Sequence, residues 1–207
     1  MARDLSPKFK RSRREGVDLH PDLDKAGGAK SPLTRKSYFP GVHGPKNIFS
    51  KVTSYGKQLR EKQKAKRFYG ILERQFNNYY KKAIKRKGDT GDTILTMLES
   101  RLDNIVYRLG FAKTRPAARQ MVNHGHILVN GKKCAIPSTQ VAIGSSIEIK
   151  PSVSEKELFK ARVKEIDRAA PHWLTREEYK GKVISEPDLE DPKQMIDVRQ
   201  IIEFYSR

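Results

Sequence analysis

The sequence predicts an α+β fold, in which a basic, mostly helical, discontinuous domain is made from an N-terminal part and a C-terminal tail and carries an inserted α+β module. Three observations support this prediction. Apolar residues recur at helical spacing over residues 57–87 and 95–109, a hairpin signal follows near residue 130, and a further apolar segment ends the chain. At 207 residues, the chain has room for one full domain or two small ones.

The charge balance predicts a polyanionic partner. The chain holds 43 Lys and Arg against 24 Asp and Glu, a formal net charge of +19. Residues 1–97 hold 24 basic and 9 acidic side chains, whereas residues 151–207 hold 11 and 12. Because the excess overlaps segments with clear apolar periodicity, it predicts a folded basic surface rather than a nonspecific tail.

Composition also excludes several classes of protein. The mean hydropathy is −0.74, and no apolar stretch approaches the roughly 18 to 20 residues that a bilayer span requires, so we expect no membrane insertion. The N-terminus lacks the apolar region of a secretory signal, which makes the cytoplasm the expected compartment. Cys134 is the single cysteine, and His20 and His43 lie 23 residues apart, so we predict no metal site and no cofactor.

Residues 1–45 are predicted to form a basic, irregular arm and loop. Pro and Gly are frequent from residue 20 to 48, which excludes long regular structure and predicts a segment that becomes ordered on its partner. Tyr38, Phe39 and Tyr55 lie in basic, breaker-rich surroundings and are candidates for stacking on bases if the polyanionic partner is a nucleic acid. The basic residues of the arm, which we expect to contact phosphates, are Arg3, Lys8, Lys10, Arg11, Arg13 and Arg14.

Residues 46–97 are predicted to form a basic helical domain. Phe68, Phe76 and Tyr80 belong to an apolar series with a spacing of four, which indicates either one long helix or two helices with a break near Gly70. The stretch 57–87 carries twelve Lys or Arg and only two Glu, too one-sided an excess for pairing within the helix. The cations expected to face regularly spaced phosphates are Arg60, Lys62, Lys64, Arg67 and Arg74.

Residues 98–160 are predicted to fold as a compact α+β module. A helix with an apolar stripe from Leu95 to Leu109 should end at Gly110, and Thr114 should cap a second, shorter helix. Asn130-Gly131 is a type I′ hairpin signal with a basic tip, and the alternation at Ile147 and Ile149 predicts a further strand.

Residues 161–207 are predicted to form a tail that returns to the N-terminal helices. Pro171, Pro187 and Pro192 interrupt regular structure, and the last dozen residues are apolar enough for a core. Because the tail carries no excess charge, we expect it to pack back on the basic helical domain.

The segment LESRLDNIVYRLGFAKTRPAARQMVNHGHILVNGKK at 98–133 resembles the S4-type (αL) RNA-binding module. Together with SRREG at 12–16, LREKQKAKRFYGILERQFNNYY at 59–80 and the FYS ending, it makes nearly the whole chain similar to the bacterial S4 family of small-subunit ribosomal proteins. Some family members carry an N-terminal zinc-binding cysteine cluster. This sequence lacks those cysteines.

The resemblance implies a protein that is not an enzyme but a structural constituent of the small ribosomal subunit. It implies binding to the 5′ domain of 16S rRNA and nucleation of subunit assembly. It also implies a contact with ribosomal protein S5, close to mRNA on its entry path, through which the two proteins contribute to translational accuracy. Contacts with other small-subunit proteins are also implied, and no small-molecule substrate is. The RNA-facing residues carried over to this module are Arg115, Arg119, His124, Asn130, Lys132 and Lys133.

Two other functions remain open from the sequence. The same module occurs in RNA-modifying enzymes such as pseudouridine synthases and in a tyrosyl-tRNA synthetase, but here no Gly-rich phosphate loop or nucleophile elbow accompanies it. A repressor that binds its own mRNA would use the same surface as a ribosomal protein, and the sequence does not separate these two. His124 has an alternative interpretation, in which it lies at the C-terminal end of a helix and only interacts favourably with the helix dipole.

Overall fold

The computed structural model describes residues 6–21, 23, 31–49, 51–166 and 168–206. The chain divides into two compact units. The first combines the part of the chain up to Gly91 with the part from Pro192 onward, and the second is Asp92–Asp191. The predicted α+β class is confirmed. Among the described helices, none has the length and hydropathy of a membrane-spanning segment.

The helices and strands are numbered in chain order. The helices are α1 (Lys8–Glu15), α2 (Pro32–Arg35), α3 (Ser54–Phe68), α4 (Glu73–Ile84), α5 (Thr90–Glu99), α6 (Leu102–Arg108), α7 (Arg115–Asn123), α8 (Pro151–Ser154), α9 (Glu157–Lys164), α10 (Glu190–Met195) and α11 (Val198–Tyr205). A 3-10 helix spans Gly44–Phe49. The strands are β1 (Ile127–Val129), β2 (Lys132–Lys133), β3 (Ser146–Ile149), β4 (Leu174–Glu177) and β5 (Lys180–Val183).

Two helices, rather than one, form the basic helical segment of the first unit. Thr53 caps α3 by accepting a hydrogen bond from the backbone N–H of Gly56, and Gly70 ends the helix with a φ of +64°. Phe68, Phe76 and Tyr80 are buried, as their periodicity predicts. The break turns the chain so that α3 and α4 can contribute apolar faces to one core.

The C-terminal helix α11 packs against α3 in the first unit. Asp197 caps α11, and the ring of Tyr205 stacks on Tyr80 with centroids 4.6 Å apart. The predicted tail of 161–207 differs in extent, because residues up to Asp191 belong to the second unit. Strands β4 and β5 lie in that stretch, and β5 pairs with β3 of the module.

The second unit places two short helices where the sequence predicts one continuous helix. The prediction is wrong at Arg101, which is extended between α5 and α6 and forms a bridge with Gln140. The N–H of Leu102 donates to the carbonyl of Thr139 at 2.9 Å. This long-range backbone pairing, together with the burial of Arg101, replaces the helical hydrogen bonds at that point.

A five-stranded antiparallel sheet in the order β2-β1-β3-β5-β4 completes the second unit. The hairpin at Asn130-Gly131 forms as the sequence predicts, with φ values of +50° and +75° at its two turn residues. Ile147 and Ile149 face the core, where Trp173 is 2% exposed. The helices α6 and α7 cover this core, and their N-terminal ends and the hairpin tip carry the polar residues that concern function.

Candidate nucleic-acid interface

The cations of α3 that the sequence assigns to phosphates are engaged in ion pairs within the first unit. Arg60 and Arg67 both bind the carboxylate of Glu15 at the end of α1, with a distance of 3.4 Å from Arg60 Nη1 to Glu15 Oε1. The Glu15 side chain is 1% exposed. Burial raises the pKa of this carboxyl, although the positive charges of Arg60 and Arg67 act to lower it. The two arginines therefore connect α3 to α1.

Lys62, one of the predicted RNA contacts, is buried within the first unit. Its Nζ donates to Glu73 Oε1 at 2.8 Å and lies 4.1 Å from the centroid of the Phe204 ring. Glu73 also accepts from Lys66 at 3.2 Å and from the hydroxyl of Tyr205 at 2.8 Å. Burial opposes ionisation of Glu73, but these hydrogen bonds outweigh it and lower its pKa. Lys62 thus joins α3, α4 and α11.

Lys64 and Arg74 complete the group of predicted contacts in the helical segment. Lys64 Nζ donates to Glu61 Oε1 at 2.6 Å, an i, i+3 pair on α3. Arg74 is exposed near the start of α4 and makes no ion pair with any described residue. Of the five predicted cations in this segment, Arg74 is therefore the one most accessible to a phosphate.

The arm's basic residues divide between internal contacts and solvent. Arg13 donates to the carbonyls of Lys36 and Tyr38 at 3.0 and 2.9 Å, and its guanidinium lies 5.0 Å from the centroid of the Tyr38 ring. Arg14 is exposed, 5.8 Å from the ring of Phe39. Lys10 is exposed, whereas Lys8 and Arg11 are half-buried. Arg3 lies outside the described residues.

Tyr38 and Tyr55, the two tyrosines expected to stack on bases, have different surroundings. Because Arg13 lies over the ring of Tyr38, that face of the ring is already covered. Tyr55 is 50% exposed at the start of α3, and its ring lies 5.6 Å from that of Phe204. Tyr55 therefore has the larger surface available for stacking.

A dense group of exposed cations lies at the C-terminal end of α4 and just after it. Its members are Lys81, Lys82, Lys85, Arg86 and Lys87. Each is exposed, and none forms an ion pair with a described residue. We call this group the 81–87 ridge. These five residues are among the twelve cations of residues 57–87 but not among the predicted phosphate contacts. The sequence does mark this group, because no acidic residue that could pair with these cations occurs between Arg74 and Asp89.

In the second unit, Arg119, one of the predicted RNA contacts, is buried and belongs to a polar network. Asp103 accepts hydrogen bonds from Arg101 Nε at 2.9 Å and Nη2 at 2.6 Å, and Arg119 Nη1 lies 3.5 Å from the same carboxylate. Arg101 is 0% and Arg119 is 7% exposed. The guanidinium of Arg119 lies inside the unit because the buried carboxylate of Asp103 accepts a hydrogen bond from it.

Arg115 and the hairpin remain partly accessible. Thr114 caps α7 as predicted, and Arg115 Nε donates to Asn104 Oδ1 at 2.9 Å with its guanidinium 4.3 Å from the Tyr107 ring centroid. Lys132 and Lys133 are exposed at the hairpin, and His124 is exposed at the end of α7. Asn130 is also exposed, but its side chain accepts from the N–H of Ser146 at 2.8 Å. Asn130 therefore also holds the turn.

Among the described residues, exposed cations without acidic partners cluster at the 81–87 ridge of the first unit and, separately, at the hairpin of the second. Such clusters neutralise phosphates, and they define a nucleic-acid-binding protein. Among the described residues, no group of three or more His, Cys, Asp or Glu side chains could hold a metal ion.

Comparison with known proteins identifies the family. A model of the ribosomal protein S4/S9 N-terminal domain matches residues 3–99, and a model of the S4 domain matches residues 100–147. Small ribosomal subunit protein uS4 of Thermoanaerobacter sp. (strain X514) is 46% identical over 209 residues, covering both chains fully. The uS4 proteins of Clostridium tetani and Fervidobacterium nodosum are each 44% identical, again over the whole of both chains.

The chain therefore belongs to the uS4 family of ribosomal proteins. This confirms the resemblance found in the sequence. The family is one of structural, RNA-binding proteins of the ribosome rather than of enzymes, so the expectation that the chain is not an enzyme is confirmed by its family.

Proposed function

We propose that the chain is a primary binder of the 5′ domain of 16S rRNA and that this binding nucleates assembly of the small ribosomal subunit. Support comes from the family, whose relatives carry the name small ribosomal subunit protein, and from the distribution of charge. The single observation that carries the proposal is the 81–87 ridge, because five clustered, exposed cations without acidic partners among the described residues create a positive potential that attracts a polyanion.

We propose a set of RNA contacts chosen by the exposure of each charged group. It keeps the exposed cations Lys10, Arg14, Arg74, Lys132 and Lys133 and adds the 81–87 ridge. Arg115, His124 and Asn130 stay in the set as residues at the edge of α7 and the hairpin. Lys62 and Arg119 leave it, because their charged groups are buried against carboxylates.

The experiment that tests this proposal is filter binding of the full chain to a transcript of the 16S 5′ domain over a range of salt concentrations. If about six to eight phosphates are neutralised, the log-log slope should be about −4 to −6. A transcript of the 3′ domain with equal length is the control for general polyanion binding. Equal affinity for both transcripts, or a nearly flat salt response, would contradict the proposal.

We also propose that the chain contacts ribosomal protein S5 and lies close to mRNA on its entry path, which together would affect translational accuracy. This part rests on the family resemblance. Crosslinking in assembled small subunits, followed by mass spectrometry, tests it. Crosslinks between this chain and S5 are expected. Crosslinks to other proteins with none to S5 would contradict it.

A further inference from the structure

The second unit contains an apolar groove whose apolar walls are not among the proposed RNA contacts. It lies between α7 and the α8–α9 segment and has a volume of about 590 Å³, within the range of small-ligand sites. Ala117 and Met121 line one wall, Val153 and Phe159 line the other, and Phe111 lies at the base. Phe111 and Val153 are buried, so the groove is fixed to the core of the unit.

Positive charge surrounds the groove. Lys113, Lys156 and Arg162 lie at its rim, and Glu165 is the one acidic residue in the described lining. His124 and His126 complete the end nearest the hairpin, with ring centroids 5.6 Å apart. The pKa of His126 is lowered by burial and by electrostatic interaction with His124, Lys156, Lys150 and Lys133, so three lysines lie close to this end of the groove.

The groove also presents large apolar side chains to solvent. Leu158 at its rim is 78% exposed, the most exposed leucine among the described residues, and the neighbouring Phe159 is half-buried. Apolar surface beside a groove, rimmed by charged residues, is typical of a binding site rather than of a solvated helix face. An occupant should therefore combine a flat apolar group with negative charge.

We propose that this groove receives an unpaired base of the RNA, while the rim cations bind the flanking phosphates. A nucleotide has the required combination, because its base presents a flat face and its phosphates are anionic. Unpaired RNA bases are commonly splayed out and stacked on apolar or aromatic side chains. The inference rests on the proposed function and deepens it by naming the class of nucleotide, one outside a helix, that this site takes.

Filling the groove tests the inference. Ala117→Trp should lower the affinity of the full chain for the 16S 5′ domain by about 5- to 100-fold, the range for loss of one stacked base. The salt slope should stay unchanged because no phosphate contact is removed. Ala161→Trp, on the exposed face of α9 outside the groove, is the matched control and should bind as the unaltered chain does. Circular dichroism verifies that both variants are folded.

Three further variants separate the contribution of the base to binding from that of the phosphates. Leu158→Ser should weaken binding at constant slope, whereas Ile184→Ser, which alters another exposed apolar residue of the same unit, should have no effect. Lys156→Gln should reduce the magnitude of the slope by about 0.7 to 0.9, the value for one phosphate. If Ala117→Trp and Leu158→Ser both bind like their controls, the groove inference is wrong even though rRNA binding stands.

A photocrosslinker identifies the occupant directly. p-Benzoylphenylalanine at position 158 of the full chain should crosslink in assembled small subunits to an unpaired nucleotide of 16S rRNA. Crosslinks only to a protein would overturn the inference and indicate a peptide in the groove. If the unaltered chain fails to prefer the 5′ domain, the proposed function fails first, so the two failures are distinguishable.

Discussion

Helix α3 and the 81–87 ridge are both dense in cations and lie in the same unit, yet they use their charge differently. In α3, Arg60, Lys62 and Arg67 each contact a carboxylate that belongs to another segment of the chain. In the 81–87 ridge, no described carboxylate approaches any of the five cations. The same residue types therefore hold the first unit together in one place and face solvent in the other.

Net charge therefore indicates a capacity for RNA binding but does not identify which residues bind. A cation paired with a carboxylate from another segment stabilises the fold, and moving that cation to a phosphate would leave the carboxylate without its partner. The second unit repeats the contrast, with Arg101 and Arg119 around Asp103 and with Lys132 and Lys133 exposed at the hairpin.

The largest effect on stability is expected from Asp103→Asn. The change removes the charge that two buried guanidinium groups face, so we expect the free energy of unfolding of the second unit to fall by about 3 to 5 kcal/mol. Trp173, the single tryptophan of the chain, is buried in this unit and reports its unfolding by fluorescence in urea. Glu177→Gln removes one exposed charge from the same unit and should change the free energy by less than about 0.5 kcal/mol. Equal effects of the two changes would show that the buried network is not structural.

A smaller effect is expected from Lys62→Met in the first unit. The variant keeps the apolar stem against Phe204 but loses the hydrogen bond to Glu73, so we expect a loss of about 1 to 2 kcal/mol. Hydrogen exchange of the α11 amides, read by mass spectrometry, measures the change locally. Lys57→Met, at an exposed position of the same helix, is the control. Faster exchange in both variants alike would argue against a special role of Lys62.

The smallest effect concerns pH. The folded-state pKa of Glu73 is lowered, so the stability that its ionised form contributes is present above the ordinary carboxyl value of 4.5 and is lost as the pH falls through the folded-state pKa. We therefore expect Glu73→Gln to destabilise the first unit at pH 6 and to differ progressively less from the unaltered chain below pH 4.5. The α11 exchange assay serves here too. A difference independent of pH would contradict the assigned ion pairs.

Features determined by local chemistry could be predicted from the sequence. The Thr114 cap and the Asn130-Gly131 hairpin depend on a few adjacent residues, and both form as expected. The periodicity of 57–87 correctly placed Phe76 and Tyr80 in the core. These patterns reflect backbone geometry and burial, which act over one or two helical turns.

Features determined by distant partners could not be predicted in the same way. The break at Arg101 depends on the backbone of Thr139 and Gln140, almost forty residues later. Arg60 and Arg67 were expected to face phosphates, but both bind Glu15, which precedes α3 by about forty residues. Strands β4 and β5 are short and polar, and only their pairing with β3 assigns them to the module.

The central claim is that the 81–87 ridge binds rRNA phosphates and that the paired cations of α3 do not. The salt dependence of rRNA binding tests this most directly, when the ridge and α3 are changed separately. For the triple variant Lys81→Gln, Lys82→Gln, Lys85→Gln, we predict that the magnitude of the log-log slope for the 16S 5′ domain falls by about 2 to 3. For Lys62→Met, measured under conditions in which it is folded, we predict an unchanged slope. A triple variant with the slope of the unaltered chain, beside a reduced slope for Lys62→Met, would contradict the account.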